Sequence, residues 1–217
     1  MAVIKPQLSQ TCLQIDDFSA YAQNFIQDDT PICEIETLKQ RIDGEDFSRL
    51  EVRKSLFKNC VLHNCGFDNA TFTDVVFENC DLSNSSFQDA YFERCSFVSC
   101  KCAGTDMSGC VVRHTSFERL NLQYSNFNKA RMTDVSFSDV DFTEACMSEA
   151  KLIRFETAMS KFVRSNFFKT PLTAVDFTDN VLLAPVLSFP PTELKGAVIN
   201  PVQAADLIGL WGVIVKQ

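Results

Sequence analysis

The sequence predicts an all-β protein whose chain turns a corner every five residues, and three observations support this. Every fifth residue from Phe47 to Leu182 is apolar except Thr157, and 15 of these 28 positions hold phenylalanine. The residue two places before each position is usually small or thin, and 20 phenylalanines occur with only 7 glycines in 217 residues. A strict period of five fits neither a helix nor a flat strand, whereas a coil with regular corners accommodates it.

The five-residue unit resembles the repeat of the pentapeptide-repeat family, written A(D/N)LXX, here in a phenylalanine-rich form such as Ala-Thr-Phe-Thr-Asp at residues 70–74. The resemblance covers residues 45–184. It implies a right-handed, four-sided β-helix with four pentapeptides per coil. The repeats then make about seven regular coils, and a coil spacing of ~4.8 Å gives a shaft about 34 Å long.

With four repeats per coil, residues twenty apart lie above one another. Inward side chains of one side then stack, and the small residue beside each ring fills the cross-section, which a large residue would overpack. The expected core stack is Phe57, Phe77, Phe97, Phe117 and Phe137. Phe155 takes a position that is otherwise small, and Thr157 a central position in the same repeat, so we expect a local distortion there.

Residues 1–44 are predicted to be an irregular cap at one end of the coil. Thr30 and Pro31 offer an N-cap and a first-turn proline. Apolar residues at helical spacing follow, namely Ile32, Ile35, Leu38 and Ile42. The pattern predicts a short amphipathic helix over 31–44 that closes the coil.

Residues 185–217 are predicted to be a dimerisation module. Prolines end the repeat, Asn200-Pro201 predicts the start of a helix, and residues 211–215 predict a short terminal strand. A monomer would expose this apolar surface, and exposed apolar patches usually mark interfaces, so we expect a twofold homodimer. The expected interface residues are Ala204, Leu207, Ile208, Trp211, Val213 and Val215.

Composition excludes several classes of function. A net charge of −8 argues against direct nucleic-acid binding, which needs a basic surface. The first ten residues contain no apolar signal region, and the longest apolar run is too short to span a membrane. We therefore expect a cytoplasmic protein whose ten cysteines are reduced.

The sequence also lacks the motifs of catalysis. It contains no Walker loop, HExxH, GxSxG or CxxC. His63 and His114 form no motif with each other, and most cysteines take the inward small position of the repeat, which indicates packing rather than metal binding. We expect no enzyme activity, no metal and no cofactor.

Charge differs between the four sides of the coil, which we name after their first inward residue as the Phe47, Val52, Phe57 and Leu62 faces. The Phe57 face carries six acidic residues against Lys58 and Arg119, a net charge of −4, whereas the Val52 face has a net charge of +3. The acidic residues of the Phe57 face are the candidate partner-binding residues. They are Glu78, Glu118, Asp139, Glu156, Asp176 and Asp179.

Residues 192–215, TELKGAVINPVQAADLIGLWGVIV, resemble the C-terminal segment of the quinolone-resistance (Qnr) and MfpA branch of the family. The unbroken frame leaves no room for the two projecting loops of some members, so the resemblance is to the loop-less MfpA-like or Gram-positive form. It implies a homodimeric rod that mimics DNA, binds DNA gyrase and topoisomerase IV, and protects them from fluoroquinolones. Two alternatives stay open, namely an immunity protein that guards gyrase against a peptide toxin and an interaction scaffold without a topoisomerase partner.

Overall fold

A computed structural model describes residues 3–215, and its chain winds into a β-solenoid of about 9 turns. Neighbouring strands run parallel, and wherever two coils of the repeat pair, the paired residues are twenty apart. Phe57 pairs with Phe77, for example, and Phe77 with Phe97. Four pentapeptides therefore make one coil. The predicted β-helix is confirmed, and its constant register leaves no projecting loop between the coils.

Within residues 3–215 the regular structure consists of seventeen strands, most of them three residues long, and two α-helices. The strands are β1 (Leu13–Ile15), β2 (Ile32–Cys33), β3 (Ile35–Leu38), β4 (Arg41–Asp43), β5 (Glu51–Arg53), β6 (Leu56–Lys58), β7 (Val61–His63), β8 (Thr71–Thr73), β9 (Val76–Glu78), β10 (Tyr91–Glu93), β11 (Ser96–Val98), β12 (Val111–Arg113), β13 (Ser116–Asn121), β14 (Arg131–Asp141), β15 (Lys151–Ala158), β16 (Lys161–Val163) and β17 (Val181–Leu183). The α-helices are α1 (Phe18–Asp28) and α2 (Pro201–Gly209), and a 3₁₀ helix covers Thr192–Leu194. The Phe47 face is joined by single parallel bridges, such as that between Ser86 and Asp106.

Each corner of the coil lies two residues after an inward side chain. From residue 34 to residue 174 every fifth residue has a positive φ, for example 56° at Asn59 and 50° at Arg94. Asparagine and aspartate adopt this left-handed conformation more readily than other residues with side chains. The backbone at the corners therefore explains why Asn and Asp recur at this position of the repeat.

The five rings of the core stack lie nearly parallel along the axis. Successive centroids are 5.1, 4.8, 4.9 and 4.5 Å apart, with interplanar angles of 9–15°. Above Phe137 the stack reaches Thr157, which pairs with it in normal register. The ring of Phe155 fills the space instead, at 5.3 Å from that of Phe137. In this repeat Phe155 therefore fills the core in place of the central residue Thr157, while the backbone keeps its register.

The helix predicted over 31–44 is wrong. The N-terminal helix is α1, which begins after Asp17, whose carboxylate accepts a hydrogen bond from the N–H of Ala20 at 3.0 Å, and ends at Asp29 with a φ of 51°. Most of the predicted helical stretch forms the strands β2, β3 and β4.

The error arose because the apolar residues of 32–42 fit two periods at once. Ile32 and Ile42 continue the five-residue frame backwards and pair in register with Val52 and Leu62. Glu34 and Lys39 are corners with positive φ, a conformation that no α-helix contains. The repeat frame takes precedence over the helical spacing.

Helix α1 closes the N-terminal end of the shaft. The ring of Phe18 lies 5.4 Å from that of Phe47 and meets the ring of Phe57 edge-on at 5.1 Å. Gln40 occupies an inward position, where its side chain accepts the N–H of Phe18 at 3.4 Å and donates to the carbonyl of Asp16 at 2.9 Å. A polar residue at an inward position therefore marks where the helix docks.

Helix α2 begins where the sequence predicts. Asn200 accepts the N–H of Gln203 at 3.0 Å, and the Gln203 side chain accepts the N–H of Asn200 at 2.9 Å, which is a capping box. The strand predicted over 211–215 is wrong. Within the described chain these residues form a turn and an irregular segment, because no neighbouring strand pairs with their backbone.

Candidate partner-binding surfaces

The acidic residues of the Phe57 face fall into two groups. Glu78 lies 2.9 Å from Lys58, and Glu118 pairs with Arg119, so both of this face's basic residues are used. Asp139, Glu156, Asp176 and Asp179 are exposed and lie further along the chain. The acidic residues of this face outside these two pairs therefore lie in the C-terminal half of the solenoid.

Asp176 is held in a fixed orientation by its own turn. The N–H and hydroxyl of Thr178 donate to its carboxylate at 2.8 and 2.7 Å. These hydrogen bonds hold the pKa of Asp176 below its usual range. Within residues 3–215 no Lys or Arg nitrogen lies within 4.0 Å of the carboxylates of Asp139, Asp176 or Asp179. These three carboxylates are free to meet a basic partner.

The Phe47 face also presents carboxylates. Asp106 accepts hydrogen bonds from the side-chain amides of Gln88 at 2.8 Å and Asn126 at 3.1 Å. Asp68 accepts from the hydroxyl of Ser86 and the N–H of Gln88. No ion pair joins either carboxylate to a base of the described chain. Net charge per face therefore did not show which carboxylates remain unneutralised.

A row of charges, which we call the corner row, lies along the corner that follows the Val52 face. It consists of Glu34, Lys54, Asp74, Arg94, His114, Asp134 and Arg154, spaced by one coil each. Lys54 lies 4.0 Å from Glu34, Arg94 binds Asp74 at 2.8 Å, and Arg154 pairs with Asp134. Sequence reasoning missed this row, although alternating charge at a spacing of twenty could have revealed it.

The C-terminal end carries an exposed apolar surface. Ile208 and Trp211 are each 40% exposed, Val213 and Val215 are exposed, and Ala204 is half-buried. Leu207 differs, because it is 3% exposed and packs into the core of its own chain. The surface that a second subunit could cover therefore lies on the outer side of α2 and on the tail.

The cysteines are all free thiols, and seven of the ten are buried. The Sγ atoms of Cys60, Cys80 and Cys100 donate to carbonyl oxygens of the coil below at 3.3, 3.3 and 3.4 Å. Burial raises the pKa of Cys95 to about 12. No group of three or more metal-ligating side chains comes together among the described residues. The seven buried thiols belong to the packing of the shaft.

No helix within residues 3–215 is long and apolar enough to cross a membrane.

Comparisons with known proteins agree with this architecture. Residues 70–140 match the family model of the pentapeptide repeat region. No curated protein matches the chain in sequence.

The solved structures that resemble the fold include two pentapeptide-repeat proteins. A trypsin-treated variant of QnrB1, described as a plasmid-mediated fluoroquinolone resistance protein, gives a TM-score of 0.50 at 21% identity, over 84% of this chain and 92% of that one. HetL from the cyanobacterium Nostoc sp., described as a pentapeptide repeat protein involved in heterocyst differentiation regulation, gives a TM-score of 0.55 at 12% identity, over 85% and 98%. The chain thus contains a pentapeptide-repeat region at residues 70–140 and has the β-solenoid fold of the solved pentapeptide-repeat proteins.

Proposed function

We propose that this protein is a DNA-mimicking rod that binds the type II topoisomerases DNA gyrase and topoisomerase IV in the cytoplasm and protects them from fluoroquinolones. The observation that carries the proposal is the set of unpaired carboxylates on the Phe57 face, Asp139, Asp176 and Asp179. They lie on a fold that resembles that of QnrB1, a fluoroquinolone resistance protein. Carboxylates held on a rigid rod can occupy a basic surface that is shaped for DNA phosphates.

The solenoid reproduces the charge density of DNA only in part. A net charge of −8 spread over about 9 turns, each ~4.8 Å high, gives roughly one net negative charge per 5 Å of axis. B-form DNA carries one charge per ~1.7 Å. The rod as a whole is therefore a weak polyanion, and recognition must be concentrated on the faces where carboxylates are not neutralised by neighbouring bases.

We further propose that two chains associate about a twofold axis through the outer side of α2 and the tail. Ile208, Trp211, Val213 and Val215 would be covered, while Leu207 already packs against its own chain. A twofold dimer repeats the same acidic face on both subunits, which doubles the length of rod that a partner can contact.

The test is a gyrase supercoiling assay with and without ciprofloxacin, repeated with topoisomerase IV decatenation. We expect the protein to restore activity in the presence of the drug and to inhibit the enzymes at higher concentration. Restoration against a peptide toxin of gyrase but not against the drug would indicate the immunity function instead. No effect on either enzyme would contradict topoisomerase binding.

A second candidate is supported by the similarity to HetL, whose fold gives the higher TM-score of the two. HetL is described as involved in a differentiation process, so the same fold serves regulation as well as drug resistance. The candidate is an interaction scaffold with a regulatory partner. A protein that leaves both topoisomerases unaffected would favour it.

A further inference from the structure

The N-terminal segment, residues 3–12, lies against the solenoid as an arm without regular secondary structure. Three hydrogen bonds place it along the corner row, one of them from the thiol of Cys12 to the carbonyl of Lys54 at 4.0 Å. The hydroxyl of Ser9 donates to Oε1 of Glu34 at 2.6 Å, and the main-chain N–H of Gln7 donates to Oδ1 of Asp74 at 3.0 Å. Because Glu34 and Asp74 are forty residues apart, the arm crosses two coils.

The arm is held by few contacts. Between residues 3 and 12 the N–H of Gln7 is the one main-chain group that forms a hydrogen bond with the rest of the described chain. The side chains of Ile4 and Leu8 remain exposed. Ordering each residue costs conformational entropy, and segments with few buried contacts open at low free energy. The arm can therefore leave the solenoid without unfolding it.

Asp74 does not depend on the arm for its position. Arg94 binds its carboxylate in a bidentate manner, with Nε to Oδ1 and one terminal nitrogen to Oδ2, both at 2.8 Å. Asp74 is only 4% exposed. Burial acts to raise its pKa, but the hydrogen bonds from Arg94 and Gln7 outweigh burial and lower it. When the arm leaves, an ionised and oriented acceptor stays in place.

We propose that the corner row around Asp74 is a docking surface for a linear polypeptide segment of a partner, and that the arm is a releasable strap that occupies this surface in the free protein. The partner segment takes the place of the arm by donating a main-chain N–H to Asp74. We expect the partner segment to resemble the arm in composition. Residues 3–12 contain no acidic side chain and a single lysine, Lys5. This inference does not rest on topoisomerase binding, and its test contains no topoisomerase.

The first measurement is the order of the arm in the full-length protein by ¹⁵N relaxation. Gln7→Pro removes the N–H that binds Asp74, whereas Gln7→Ala removes the side chain and keeps that N–H. We expect order parameters at Leu8 and Ser9 near those of rigid backbone in the wild type and Gln7→Ala, and below about 0.6 in Gln7→Pro. An arm that stays rigid in Gln7→Pro would overturn the role of Asp74.

The second measurement uses a synthetic peptide with the sequence of residues 1–12 as the probe. We expect it to shift the amide resonances of Asp74 and Arg94 in full-length Gln7→Pro, and to bind the wild type at least ten-fold more weakly, because the attached arm competes. A peptide with proline in place of Gln7 should bind neither protein. Failure of the wild-type peptide to bind Gln7→Pro, or equal binding to both proteins, would refute the docking surface.

Discussion

The ring of Phe18 lies edge-on against the ring of Phe57 at 5.1 Å, although the first lies in helix α1 and the second in the core stack of the solenoid. This contact makes α1 part of the hydrophobic core rather than an appendage. The inward side chain of Gln40, which binds the backbone on both sides of the helix start, fixes the helix over the open coil.

Replacing Phe18 by alanine should therefore destabilise the protein as a core substitution does. We expect a loss of about 3–5 kcal/mol in the free energy of unfolding, because the change empties a fully buried site between two rings. Urea unfolding followed by circular dichroism measures it. Phe189→Ala is the matched control, since Phe189 is 86% exposed and should change stability by less than about 0.5 kcal/mol. Equal effects of the two changes would contradict the cap.

The thiols should react according to burial. We expect iodoacetamide at pH 8 to modify the exposed Cys33 first in the folded protein and to leave the seven buried cysteines unmodified. After unfolding without a reducing agent, mass spectrometry should count ten modified cysteines. Eight or fewer would mean that a disulfide forms, against the hydrogen bonds that Cys60, Cys80 and Cys100 donate to the coil below.

The dimer should come apart without loss of the coil if the outer side of α2 forms the interface. Ile208→Glu combined with Trp211→Glu places charges on two exposed side chains and leaves the buried Leu207 intact. We expect light scattering to show a monomer with unchanged circular dichroism. Ile153→Glu, at an exposed apolar residue of the Val52 face, is the control and should stay dimeric. A dimeric double variant would place the interface elsewhere.

Removing the unpaired charges of the Phe57 face should weaken the interaction with gyrase. Single exposed charges contribute little, so Asp139, Asp176 and Asp179 are changed together to asparagine. We expect inhibition of supercoiling to weaken several-fold, most at low salt, where screening is least. The matched control changes Asp68, Asp89 and Asp106 of the Phe47 face. If the control alone weakens inhibition, the Phe47 face is the contact surface.

The ion pair of the buried Asp74 with the half-buried Arg94 should make stability depend on pH. Because the pKa of Asp74 is lowered in the folded state, its contribution is present above the unfolded pKa of about 3.9 and is lost as the pH falls through the folded value. Asp74→Asn should cost about 1.5–3 kcal/mol at pH 7 and less at pH 3. The measurement is urea unfolding at both pH values, with the exposed Asp139→Asn as control. A cost that does not change with pH would contradict the prediction.

The five-residue period indicated a coil with regular corners, and the resemblance to the pentapeptide-repeat family implied the four-sided β-helix. It misplaced the N-terminal helix because Ile32 and Ile42 satisfy both the helical and the five-residue spacing. The signal that could have corrected this is Gln40, a polar residue at an inward position, whose side-chain oxygen accepts the N–H of Phe18 at the start of the docked helix.

Charge was predictable by face but not by residue. The count assigned −4 to the Phe57 face, yet it did not show that Glu78 and Glu118 are paired with Lys58 and Arg119. Lys58 and Glu78 are twenty residues apart and Glu118 and Arg119 are adjacent, and in both pairs the contact depends on side-chain conformation, which a count of charges does not give. The arm was missed for the same reason, since nothing near Gln7 in the sequence points to Asp74.

Helix α1 has a consequence for how the rod behaves in a crowded solution. The end of a β-solenoid is an open row of backbone donors and acceptors, and such edges recruit further strands. A stack of identical coils could then add to another stack end to end and grow into a fibre. Phe18 and Gln40 hold a helix over the end of the shaft, so the residues that complete the core also obstruct the stacking of a second shaft on that end.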